Sequence, residues 1–159
     1  MSRHRYGFTL IEVLMVVVIM AVLAATIIPQ FSASANDAKL SNLKFNLRSI
    51  RAQLEKYKEE HLGSYPPAAS HDDFLNQMIG KTDRNTNLNV RGACGPYIET
   101  GIPSNPFNNS ATVTIILGSD PPTAPTGSGD GWQYNPAQGW FYPNDNEYFR
   151  STGSFAKSD

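Results

Sequence analysis

One cysteine, Cys94, stands in 159 residues, so no intrachain disulfide can staple the fold. A lone cysteine of this kind reads as a small buried residue rather than a reactive thiol. Charge is equally sparse. Asp, Glu, Lys and Arg make up 17% of the chain and nearly cancel, 13 Lys+Arg against 14 Asp+Glu, with no basic run. That balance gives nucleic acid no electrostatic footprint to bind. Three histidines (His4, His61, His71) lack the spacing of metal ligands, and Cys94 has no evident histidine partner. Gly127-Ser128-Gly129-Asp130-Gly131 lacks the strand–turn–helix context of a phosphate loop, and no G-x-S-x-G elbow occurs. These absences leave no foothold for catalysis, and the chain reads as a non-enzyme.

What is present is concentrated at the N-terminus. Met1–Gly7 is short and basic through Arg3 and Arg5, and Phe8–Ile28 is apolar except for Thr9, Glu12 and Thr26. As a helix that run is roughly 31 Å long, matching the ~30 Å hydrocarbon core of a bilayer. It can span a membrane once, and the flanking positive charge places the N-terminal end in the cytoplasm. The length implies one globular domain, but its core must be built from the rest of the chain. Glu12 is the anomaly, because a carboxylate in an apolar helix costs about 2–3 kcal/mol at the bilayer centre and less near its edge. A bare anchor has no use for it, and intramembrane acids usually have a cationic partner.

Gly7-Phe8-Thr9-Leu10-Ile11-Glu12-Val13 resembles the processing motif of type IV prepilins and type II secretion pseudopilins. The resemblance implies a leader, residues 1–7, cut between Gly7 and Phe8 by a membrane prepilin peptidase that also N-methylates Phe8. Glu12 becomes the fifth mature residue, and its implied role is to neutralise the N-terminal amine of a neighbouring subunit as it enters a filament. Attraction between opposite charges in low dielectric agrees with that role. Loss of the leader takes two of the 13 Lys+Arg, leaving 11 against 14 Asp+Glu, a net charge of −3. Pro29 matches the family's helix-kinking proline and removes one backbone hydrogen bond. An ordinary secretory signal with an A-x-A site at Ala33-Ser34-Ala35 is the competing reading. The apolar run is longer than such signals carry, and Glu12 has no place inside one.

Further on, Leu43, Leu47, Ile50, Leu54 and Tyr57 recur at helical spacing as one apolar stripe, with Gly63 as C-cap and Pro66-Pro67 beyond it. Residues 8–29 are thus the transmembrane or filament-core helix, 30–62 its amphipathic continuation, and 63–159 the globular head. Phe74, Leu75, Met78 and Ile79 predict a short helix begun by Ser70 or Asp72. Thr112–Leu117 reads as a strand, and Trp132–Tyr134 and Trp140–Tyr142 as a hairpin around the five residues Asn135–Gly139. Gly118–Gly131 is rich in turn formers and reads as a surface loop. The expected fold is α+β and pilin-like: a long N-terminal helix, membrane-spanning in its first half, packed on a small antiparallel sheet of about three strands.

The loop Gly95–Phe107 and the aromatic hairpin look like those of pseudopilins, and no cysteine pair closes a C-terminal loop as in many type IV pilins. The favoured reading is a type II secretion pseudopilin. The implied partners are the peptidase/methyltransferase, copies of itself, minor pseudopilins, an inner-membrane assembly platform and, before assembly, lipid. The location implied is the bacterial inner membrane with the head in the periplasm, then an extracytoplasmic filament. A type IV pilin for adhesion, motility or DNA uptake is the first alternative. The second is an exported binding module whose Trp132, Trp140 and Tyr142 stack on sugars, against which core packing is the simpler use. Some major pseudopilins hold calcium in a C-terminal loop. Asp130, Asn144, Asp145 and Glu147, with Asp120 and Asn146, supply the hard oxygens for it. Asn144–Glu147 reads equally as a solvated turn after the hairpin.

Overall fold

The computed structural model describes residues 7–118 and 125–152, with backbone alone for 28–33, 149 and 152. The elements are α1 (Leu10–Glu60), α2 (His71–Ile79), β1 (Val113–Ile115), β2 (Trp132–Asn135), β3 (Trp140–Pro143) and α3 (Asn146–Thr152). The chain divides into two compact units, Met1–Ala38 and Lys39–Asp159.

In the first unit, Leu10–Ile27 has a mean hydropathy of 2.8 and none of it is buried. Thr26 does not interrupt the apolar character, because its hydroxyl donates to the Leu23 carbonyl at 2.9 Å within the helix.

In the second unit, α1 turns the predicted stripe inward: Leu43, Leu47, Ile50, Leu54 and Tyr57 are buried together. They join Phe74 and Met78 of α2 and Trp132, Tyr134 and Phe141 of the sheet in one hydrophobic cluster. The ring centres of Phe74 and Tyr134 lie 4.4 Å apart and those of Trp132 and Phe141 5.2 Å, so aromatic area supplies much of the core. α1 ends at Glu60, and the left-handed capping position expected at Gly63 is taken one residue earlier by Leu62, φ +56°. Gly63, φ +86°, follows it, and its N–H closes on the Lys58 carbonyl at 2.9 Å, the long bond of a Schellman motif. For α2 the structure selects Ser70 over Asp72 as the cap, Oγ accepting from Asp73 N at 3.2 Å.

The α+β, pilin-like reading holds, with three corrections. The sheet is mixed rather than antiparallel: β2 pairs antiparallel with β3 but parallel with β1. A parallel pair requires a connection that returns the chain to the same end, and residues 116–131, of which 119–124 lie outside the described residues, separate β1 from β2. The hairpin loop is four residues rather than five, because Asn135 keeps its pairing with Trp140. Its Oδ1 also accepts the N–H groups of Ala137 and Gln138, closing the turn from inside the strand. Residues 146–152 form a helix where a solvated turn was one reading. Asp145 Oδ1 accepts from Tyr148 N at 2.9 Å, the geometry of an N-cap.

Candidate functional site

Gly7 and Phe8 lie outside helix, just before α1 begins. A Cβ at Gly7 would meet nothing within 4 Å, and Phe8 is 86% exposed. Among the described residues, nothing crowds either side chain position of this pair.

Glu12 has a role within its own chain that the earlier reading missed. Thr9 is the cap of α1: its carbonyl receives Val13 N–H, and its Oγ1 accepts from Glu12 N at 3.3 Å. In return, Glu12 Oε2 accepts both Thr9 N–H and Thr9 Oγ1–H at 2.7 Å each. This is a reciprocal capping box, which places a carboxylate at the positive end of the helix dipole. The signal was present in the sequence as Thr9-x-x-Glu12. Both bonds converge on Oε2, so Oε1 remains open to a second partner.

Pro29 lies inside the span of α1. Its side chain, and with it the expected kink, falls outside the described residues.

The four proposed calcium residues are each engaged by protein donors. Asn144 Oδ1 accepts from Thr126 N at 2.8 Å and Gln133 Nε2 at 2.9 Å, while its Nδ2 donates to Thr126 Oγ1. Asp130 Oδ2 accepts from Thr114 Oγ1. Asp145 caps α3 and accepts from Asn105 Nδ2 at 2.9 Å. Glu147 is exposed and pairs with Arg150 at 3.0 Å. Among the described residues no group of three or more His, Cys, Asp or Glu side chains is placed to hold a metal; Asp120 lies outside those residues.

The aromatic residues considered for sugar stacking divide. Trp132 is wholly buried, and its indole N–H donates to the Pro103 carbonyl at 2.8 Å. Tyr142 is buried as well, and Trp140 is half-buried. Core packing accounts for the first, so the three do not form one exposed platform.

His61 and His71 make structural hydrogen bonds, and His4 lies outside the described residues. His61 is buried, with Nδ1 2.7 Å from the Tyr57 carbonyl and Nε2 2.8 Å from Thr82 Oγ1. The carbonyl can only accept, so Nδ1 carries the proton and Nε2 receives the threonine hydroxyl. The Tyr97 hydroxyl donates to Glu60 at 2.6 Å. Burial first, and then this bond, push its pKa well above the usual tyrosine range. Cys94 is buried beside this cluster, as expected of it. His71 Nδ1 accepts from Val113 N and ties α2 to β1.

Residues 2–28 match the prokaryotic N-terminal methylation motif. The chain is 41% identical over 64 residues to the type II secretion system core protein G of Pseudomonas aeruginosa, covering 40% of this chain and 44% of that protein. It is 32% identical over 66 residues to the core protein G of Dickeya chrysanthemi, 42% of each chain. Against the core protein G of Vibrio cholerae it is 29% identical over 107 residues, 67% of this chain and 68% of the relative. The first two matches span less than half of those relatives. No solved structure matches. The resemblance read from Gly7–Val13 is borne out by these similarities.

Proposed function

We propose that the chain is a non-catalytic subunit of a type II secretion pseudopilus, cut between Gly7 and Phe8, N-methylated on Phe8, and assembled through its N-terminal helix. In this reading residues 1–7 are the leader, 8–29 the membrane and filament-core segment, 30–62 the amphipathic continuation and 63–159 the head. The observation that carries it is Leu10–Ile27, an apolar helix with no part of it buried. Such a surface needs lipid or other apolar helices around it. The uncrowded Gly7–Phe8 pair and the motif match over residues 2–28 supply the route from one to the other.

Before processing, the helix lies in the inner membrane with its basic end in the cytoplasm and its head in the periplasm. Cutting creates an amine at Phe8. Glu12 Oε1, unused by the capping box, is the oxygen available to the amine of an adjacent copy. Two charges that are each costly alone in low dielectric then neutralise one another, which selects the assembled state over free subunits. The peptidase/methyltransferase, an assembly platform, minor pseudopilins and further copies are the partners this requires. The names of the relatives favour the pseudopilus over an adhesive or motile pilus.

N-terminal sequencing with mass spectrometry of the mature chain tests the reading. The expected terminus is N-methylated Phe8. A chain beginning at Asn36 would mark an ordinary secretory signal and overturn it.

A further inference from the structure

A groove of about 270 Å³ lies on the head between α1 and the loop 98–103. Asn46, Ser49 and Gln53 form its polar side, and Ile98, Ile102 and Pro103 its apolar side. A cavity of about 150 Å³ already holds a benzene ring, so this groove has room for one aromatic side chain. The ring that stands beside it does not enter. Phe45, on the same helix, is 71% exposed, and among the described residues of the second unit it is the one large exposed aromatic. A single exposed ring needs no explanation by itself. A ring, a groove of its size and matched charges on one head do.

Charge follows the same division. From Lys39 to Leu54, α1 carries four cations and no acid. Lys39 stands over the ring of Phe107 and Arg51 over that of Tyr142. Lys44 and Arg48 make no ion pair among the described residues. They lie beside Phe45, four residues apart on the helix, where like charges repel. On the groove side the exposed residue between Ile98 and Thr100 is Glu99, which makes no ion pair among the described residues either. The ring thus has a basic border and the groove an acidic one.

We propose that Phe45 of one head seats in the groove of a second copy of this chain, with Lys44 and Arg48 facing that copy's Glu99. Ring and groove are different patches of one surface, so the contact is heterologous. Each copy offers its own groove onward, and the series stays open unless its rotation closes a ring. That is the symmetry a filament needs, and it is why the occupant is a second copy; the inference rests on the filament reading above. An aromatic anchor with an arginine at its side is also the composition found at the energetic centre of such contacts.

The test places the photoreactive analogue p-benzoylphenylalanine at position 45 of the full chain, in cells that carry the assembly machinery. The analogue keeps an aromatic ring there, and because Phe45 is exposed it leaves the core undisturbed. Irradiation is expected to give covalent oligomers of two and more chains on denaturing gels, with position 45 joined to the peptide that spans Ile98–Pro103. Position 45 joined to another position 45 would mean a symmetric pairing and overturn the proposal. So would no adduct, or adducts mapped elsewhere on the chain or to a different protein. Arg48→Glu and Glu99→Arg are each expected to lower the adduct yield by about tenfold, and the two together to restore most of it. Single reversals that leave the yield unchanged, or a pair that restores nothing, overturn it as well. The mature N-terminus is sequenced on the same material. N-methylated Phe8 without the adduct removes the contact and leaves the proposed function standing; a terminus at Asn36 removes that function and the contact with it.

Discussion

Glu12 satisfies a need of its own helix before it can meet any partner. Its bonds to Thr9 close the first turn of α1, and a glutamine at this position can close a capping box equally well. The substitution Glu12→Gln therefore separates capping from charge. Membrane insertion should survive in both Glu12→Gln and Glu12→Ala, because each removes a charge from an apolar segment. Assembled filament, measured by cross-linking of sheared material, should fall more than about tenfold in both, because the buried neighbouring amine loses its counter-charge. Retained assembly in the glutamine variant with loss in the alanine variant would transfer the role from the charge to the cap. The structure adds to Glu12 a capping role that the sequence reading did not name, and leaves its proposed pairing with a neighbouring amine to the test above. Attention to its charge obscured the ordinary T-x-x-E spacing, which needs no second chain. Trp132 and Trp140 illustrate the opposite limit. They begin the paired strands β2 and β3, yet one indole is wholly enclosed and the other half-open. Nothing in two similar aromatic triplets distinguishes them before the sheet is placed on α1.

At the scale of elements, helical periodicity carried the most information. The five-residue stripe of α1 is buried as its spacing demanded, because helix faces are fixed locally. Strand direction is not local. Whether β1 runs with or against β2 depends on the path of residues 116–131, and no pattern of apolar residues encodes that path. The small helix α3 was readable in principle from Asp145 as cap and Glu147 in the first turn, but seven residues give periodicity little to act on. The turn between β2 and β3 yields a quantitative test. Gly139 has φ +69°, and a Cβ there would lie 2.3 Å from Cζ of Tyr65. Gly127 has φ +70° with open space around it, so alanine there carries the backbone penalty alone. Gly127→Ala should cost about 1–2 kcal/mol, from left-handed backbone. Gly139→Ala should cost more, since the Tyr65 ring must also move off the hairpin and release Lys58 and Glu55. Thermal unfolding of the head, followed by near-ultraviolet circular dichroism, ranks the two. Equal losses would show that the ring yields freely.

The molecule as a whole joins two surfaces with opposite solvent requirements. The buried cluster of the head, among the described residues, runs from Leu43 to Tyr148 and lies within the second unit. Leu10–Ile27 has none of its residues buried. A charge placed in the middle of the segment should consequently damage location and assembly while sparing the fold. Val17, 57% exposed near its centre, is the position to change. Val17→Arg adds about 2.5–3.5 kcal/mol to membrane insertion at the helix centre, enough to shift the partition by roughly a hundredfold. The expected result is a chain that leaves the membrane fraction on alkaline carbonate extraction and forms no filament. Its near-ultraviolet spectrum and melting temperature should match those of the wild type, because the described aromatic core belongs to the other unit. If the head instead melts early, the apolar helix is part of what folds it, and the division between a membrane-seeking segment and a self-sufficient head does not hold.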